Sequence, residues 1–213
     1  MIKYLIFDLD GTLIKSNKIN TLQALHCVKK VDENYLEKAK YIFGTTAGMN
    51  VFDQLKMIFI DKNFTEKEIH QIGEKIYKSI RKKENEIEFF KGVPEKIKEF
   101  SKNYKLFLTT GNSTKFAKDV LEIGGIKECF ELIYGSDEIK KGFQHINIFK
   151  NYSEDENFYK NSIYFGDGDM DKLFANEANI KFVRIGDFEE DGNEVLDSVK
   201  NIDKILKKIK DNG

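Results

Sequence analysis

Short apolar runs recur along this chain, and several stop abruptly at polar or flexible residues. Tyr4 to Phe7 ends at Asp8-Leu9-Asp10-Gly11, Lys105 to Thr109 ends at Thr110-Gly111-Asn112, and Ser162 to Phe165 ends at Gly166-Asp167. Leu132 to Tyr134 and Lys181 to Ile185 complete the series. Helical patterns lie between them, from Glu95 to Lys102 and from Thr114 to Ile123, the latter with Phe116, Val120 and Leu121 on one face. A closing segment, Glu194 to Lys210, places Val195, Val199, Ile202, Ile205, Leu206 and Ile209 in a helical stripe. Strands alternating with helices predict an α/β fold, a mostly parallel sheet with helices on both faces.

The region from Ile14 to about Phe90 breaks this alternation. Ile19, Leu22, Leu25 and Val28 suggest one helix, Val51, Leu55 and Phe59 a second, and Ile69, Ile72, Ile76 and Ile80 a third. No run there reads as a strand. Gly92-Val93-Pro94 then reads as a turn into a new helix. The expected organisation is a core from 1–15 and 88–213, with a helical insertion from 16–87. At 213 residues the chain can hold both.

Composition removes several classes of function. With 40% hydrophobic and 33% charged residues the chain is globular, and its formal charge of -1 argues against a dedicated nucleic-acid surface. No apolar run approaches the roughly 20 residues needed to span a bilayer, so no membrane partner is expected. Cys27 and Cys129 form no ligand-spaced cluster and read as buried thiols of a reducing compartment, which points to the cytoplasm. His26, His70 and His145 share no ligand spacing. Neither a Walker phosphate loop nor a dinucleotide fingerprint is present, and the acidic run after Phe165 lacks the remaining spacing of a calcium loop.

The polar clusters carry the chemistry. In an open α/β sheet the carboxyl ends of the strands share one rim, so Asp8/Asp10, Thr110-Gly111-Asn112 and Gly166-Asp167-Gly168-Asp169-Met170-Asp171 can converge. Their chemistry suits phosphoryl transfer. Asp8 can serve as a carboxylate nucleophile, and Asp10 as the acid for the leaving oxygen and the base for water. Asp8, the main-chain carbonyl of Asp10 and Asp167 are hard-oxygen ligands suited to Mg²⁺, and Asp171 either completes that shell or anchors a lysine. Thr110, Gly111 and Asn112 can donate to phosphate oxygens, and Lys140 or Lys141 can supply the cation that so many carboxylates require.

With these residues the sequence resembles the haloacid-dehalogenase-like hydrolases, in their phosphoglycolate-phosphatase-like branch. Phe7-Asp8-Leu9-Asp10-Gly11-Thr12-Leu13 looks like the family's first motif, Leu106 to Thr110 its second, and Gly166-Asp167 through Asp171 its acidic fourth. Ser136-Asp137-Glu138-Ile139-Lys140-Lys141 resembles the approach to the family lysine, with Lys141 preferred, although Gly142 stands where many relatives have proline. The resemblance implies a Rossmann-like core and a helical C1 cap closing over the phosphate site. It also implies a Mg²⁺-dependent phosphatase acting on a small phosphorylated metabolite. A sugar phosphomutase and an inactive phosphate-binding module are the alternatives. Lys15 replaces an acidic residue frequent in that branch, and the choice between monomer and homodimer stays open.

Overall fold

Strands of a parallel sheet with helices layered on both sides are buried on both faces, and Tyr4–Phe7 (β1) is buried along its whole length. A computed structural model of the chain describes residues 1–46, 49–82, 87–137, 139–186, 194–196 and 202–211. Its sheet has the order β3-β2-β1-β4-β5-β6, with β2 at Lys105–Thr109, β3 at Phe130–Tyr134, β4 at Ser162–Gly166, β5 at Lys181–Ile185 and β6 at Glu194–Leu196. Every strand pairing among the described residues of the sheet is parallel. The strand order reverses between β1 and β4, which is where ligands collect in doubly wound sheets. β1 ends at Asp8 and β4 runs out into Asp167, so two acidic clusters flank that switch point.

Side-chain alternation divides the sheet between two cores. Leu5, Phe7, Leu106, Leu108, Ile163 and Phe165 face one side. Against them pack α5 (Val93–Phe100), α6 (Thr114–Ile123) and α9 (Ile202–Asp211), through residues such as Ile97, Val120 and Leu206. Tyr4, Ile6, Phe107, Tyr164 and Phe182 face the other side, under α7 (Phe143–Ser153) and α8 (Asp169–Glu177). Phe107 stacks on Phe149 at 4.8 Å between centroids, and Tyr4 meets Phe158 at 4.8 Å. Each such buried ring stabilises by roughly 1.5–3 kcal/mol.

Between β1 and α5 the described regular elements are helices, with isolated bridges pairing Asp10 with Ile14 and Ile14 with Phe89. The α-helices are α1 (Asn17–Val31), α2 (Leu36–Thr45), α3 (Val51–Ile58) and α4 (Glu66–Arg81). Local chemistry starts two of them. Asn50 accepts from the Phe52 N–H at 2.8 Å, and Thr65 and Glu68 form a reciprocal capping box. Their apolar faces share the first core. Two crossings join the segment to the sheet side by side: Lys15 N–H donates to the Glu88 carbonyl at 2.7 Å, and Phe90 N–H to the Leu13 carbonyl at 3.0 Å. No described helix is long and apolar enough to cross a membrane.

Four expectations change. The closing segment is not one helix: Glu194–Leu196 pairs with β5 as an edge strand, and the helix begins at Ile202. A pairing of three residues is too short for periodicity to reveal, and Val199 lies outside the described residues. The buried face of α1 runs through Ala24 and Val28, while Leu22 is 54% exposed. Leu36–Thr45 forms a helix that the sequence reading passed over, although Ala39, Ile42 and Phe43 bury at helical spacing. Cys27 and Cys129 are half-buried free thiols, not core groups.

Candidate active site

Asp8 continues the line of β1, where its N–H donates to the Phe165 carbonyl at 2.9 Å, so strand pairing fixes its backbone. Its side chain is buried, and Lys141 Nζ donates to Oδ1 at 2.7 Å. The same ammonium donates to Asp171 Oδ1 at 2.7 Å. Asp171 also accepts from the Tyr164 hydroxyl at 3.0 Å and the Gly168 N–H at 3.1 Å. Gly166 permits this packing: a Cβ there would lie 2.5 Å from both Cβ and Cγ of Asp171. Lys140 points elsewhere. It is exposed and pairs with Asp53 at 2.5 Å.

Asp10 sits in a different environment. Gly11, with φ of 76°, turns the chain back so that its N–H donates to the Ile14 carbonyl at 2.9 Å, and the chain enters α1. That turn brings Ser16 and Asn20 to Asp10 Oδ1, with Ser16 Oγ donating and Asn20 Nδ2 donating at 2.7 Å. From the end of β2, Thr110 Oγ1 and Asn112 Nδ2 donate to Oδ2 at 3.2 and 2.6 Å. The Asn112 N–H is taken up by Thr110 Oγ1 at 3.1 Å, so the visible link from Asn112 to the acid is its side chain. The neighbouring Thr109 faces the other way, with its hydroxyl 2.8 Å from His145 Nδ1. His145 Nε2 lies 2.7 Å from the Ile139 carbonyl, which ties α7 to the loop carrying Lys141.

Charge is crowded here. Burial, and the nearby charges of Asp171, Asp167 and Asp10, push the Asp8 carboxyl well above the ordinary range against the pull of Lys141. Burial alone would lower Lys141, but the charges of Asp171 and Asp8 overcome it and hold the ammonium well above its usual value. Asp10 is raised by burial, opposed by hydrogen bonds from Ser16, Thr110 and Asn112. Carboxylate oxygens of Asp8, Asp167 and Asp171 lie within 4.8 Å of one another. This all-oxygen set, with more negative charge than Lys141 can offset, has the donor chemistry and charge deficit that suit a hard divalent cation. Beside Asp167, Arg184 donates to its carbonyl at 2.6 Å and to Asp169 Oδ1 at 2.6 Å.

A cavity of about 310 Å³ opens from Asp8, Asp10 and Asp167 toward α1, α2, α3 and α4. The rim therefore gathers Asp8, Asp10, Thr110, Gly111, Asn112, Lys141, Asp167 and Asp171 from strand ends far apart in sequence. Ser16, Asn20, Tyr164 and His145 were not singled out for these positions by sequence reasoning. For Ser16 and Asn20 the available signal was their spacing by one helical turn just after the acidic pair.

The sequence profile described as haloacid dehalogenase-like hydrolase matches residues 5–185. The chain belongs to that family. Several solved structures share its architecture. A β-phosphoglucomutase from Clostridium difficile superposes with a TM-score of 0.80 at 22% identity, covering 100% of this chain and 99% of that one. A hydrolase from Pseudomonas syringae gives 0.81 at 19% identity, over 97% and 99%. A protein described as a predicted phosphoglycolate phosphatase from Haemophilus somnus gives 0.75 at 21% identity, over 96% and 98%. At these identities the likeness is one of fold. No curated protein gives a significant match.

Proposed function

We propose that this protein is a Mg²⁺-dependent phosphatase that hydrolyses a small phosphate monoester through an aspartyl-phosphate intermediate. The observation that carries the reading is the contrast between two neighbouring acids: Asp8 is paired with the Lys141 ammonium, whereas Asp10 is held by the uncharged donors Ser16, Asn20, Thr110 and Asn112. Such a division assigns separate roles to paired carboxylates. Asp8 Oδ attacks phosphorus and the bond to the leaving oxygen breaks as Asp10 gives that oxygen its proton. Water then attacks the phospho-Asp8 phosphorus, Asp10 takes the water's proton, and the Asp8 oxygen leaves.

Lys141 holds Asp8 and meets the incoming phosphate charge, with Thr110 Oγ1, the Gly111 N–H and the Asn112 side chain orienting the other phosphate oxygens. Asp8, the Asp10 carbonyl, Asp167 and Asp171 would hold Mg²⁺, which when bound supplies positive charge against the phosphate and its transferring oxygens. Residues 16–87 act as a cap over the core formed by 1–15 and 88–213. The setting we assign is the cytoplasm, where the free Cys27 and Cys129 stay reduced.

Acid-quenched protein should carry phosphate after mixing with a labelled monoester, and EDTA should abolish turnover until Mg²⁺ is restored. Asp8→Asn should trap no phosphate and lose about four orders of magnitude or more in kcat. Retained Mg²⁺-dependent release by that variant, with deamidation excluded by mass, would falsify the nucleophile assignment. A bisphosphorylated sugar that returns an isomer instead of inorganic phosphate would make the protein a mutase.

A further inference from the structure

The cavity above the acids has walls of defined chemistry. Ala24, Phe43, Met49, Val51, Ile76 and Ile80 line it beyond the carboxylates, and its described lining includes no lysine, arginine or histidine. A second charge on the bound molecule would meet no cation among the described lining residues, which is strongly unfavourable. The volume of about 310 Å³ has room for roughly ten water-sized groups, enough for a leaving group of a few carbons or one small ring.

One polar atom in this lining is unfinished. Asn20 Nδ2 is committed to Asp10 Oδ1 at 2.7 Å, yet Asn20 Oδ1 is buried with no hydrogen-bond partner. Buried acceptors are ordinarily satisfied, so this oxygen marks where a donor belongs. Nδ2 and Oδ1 are the two arms of one planar amide. A donor meeting Oδ1 therefore belongs to a group bound beside Asp10, on the leaving-group side of the acid.

We propose that the leaving group is an uncharged alcohol. A hydroxyl adjacent to its ester carbon donates to Asn20 Oδ1, and its carbon body packs against Phe43, Val51 and Ile76. This rests on the phosphatase reading and narrows it to monophosphates without a carboxylate or second phosphate. Asn20 is then a specificity-determining residue.

The test uses the full-length protein and a matched pair of esters. These are propylene glycol monophosphate, esterified at its primary hydroxyl, and propyl phosphate, which lacks only the neighbouring hydroxyl. Phosphoglycolate supplies a carboxylate instead, and p-nitrophenyl phosphate reports hydrolysis in general. Wild type should favour the glycol ester over propyl phosphate by about tenfold to a hundredfold in kcat/KM, and Asn20→Ala should bring that ratio to within about threefold. Because Asn20 also touches Asp10, the ratio within each variant is read, not its absolute rate.

A wild-type ratio near unity, an unchanged ratio in Asn20→Ala, or a preference for phosphoglycolate overturns the proposal. If no ester releases phosphate, the phosphatase reading fails by itself. The glycol-to-propyl ratio of dissociation constants, measured by calorimetry with wild type and with Asn20→Ala, then decides this inference by the same thresholds.

Discussion

At the sheet rim, Asp8, Asp10, Lys141 and Asp171 are each buried or half-buried and multiply bonded, with partners drawn from β1, β2, β4 and the loop before α7. Across the same cavity, α1 to α4 present mostly apolar walls, and Asn20 Oδ1 is left without a partner. The rim holds its charged groups in place before any ligand arrives, which suits chemistry. The helical side leaves one buried acceptor, Asn20 Oδ1, to be completed by what binds, which suits selection. Polar contacts join the two, among them Asn20 to Asp10 at 2.7 Å, Tyr77 to the Gly111 carbonyl at 3.2 Å and Lys140 to Asp53 at 2.5 Å.

Adjacent lysines offer the sharpest way to break this contrast. Removing Lys141 leaves Asp8 and Asp171 buried without their shared ammonium, so Lys141→Ala should cost about 3–5 kcal/mol in urea unfolding. It should also suppress phosphoenzyme formation. Lys140→Ala removes an exposed pair and should cost no more than about 1 kcal/mol. Equal losses from the two variants would mean that the rim is not the rigid side of the cavity.

This pair also shows what the sequence made legible. The strands were readable because apolar runs stop at polar clusters, and those clusters could be placed on one rim by topology alone. Choosing between Lys140 and Lys141 was harder, because a one-residue offset in a loop carries no periodic signal. The structure separates them by burial: Lys141 is 3% exposed, whereas Lys140 lies on the surface beside Asp53. Asn20 was hidden for another reason. A polar residue in the first turns of a helix reads as solvent-facing until the Gly11 turn is known to direct α1 back over Asp10.

His145 tests the rim from beneath. Burial lowers its pKa below the ordinary value, with the Ile139 carbonyl opposing, so the ring is held neutral between Thr109 and Ile139. An unfolded chain protonates this histidine near about 6.5, whereas the folded chain does so only at lower pH. Between those values the unfolded state binds more protons, and stability rises with pH. The contribution is complete above the unfolded value and is lost as pH falls through the folded one. His145→Leu should cost about 1–3 kcal/mol at pH 8, because it leaves the Thr109 hydroxyl and Ile139 carbonyl unpaired. The gap in melting temperature between wild type and variant should shrink on acidification below about 6.5. A gap that stays constant to pH 5 would remove the titrating role and leave His145 as packing.

A modest effect should come from one of the contacts that join the two sides. Tyr77 stands on α4, donates to the Gly111 carbonyl beside Thr110, and packs edge-on against Phe52 at 5.7 Å. Burial raises its pKa, with the negative charges of Glu74 and Asp10 adding to the effect, so the hydroxyl remains a donor throughout the neutral range. Tyr77→Phe keeps the ring and its packing and deletes one bond, which should cost about 0.5–1.5 kcal/mol. If the helical side selects and the rim transforms, the variant should raise KM for the glycol ester while leaving kcat within about twofold. A fall in kcat with KM unchanged would place Tyr77 with the reacting groups, and the division between selecting and transforming surfaces would then run through α4 instead of along the cavity.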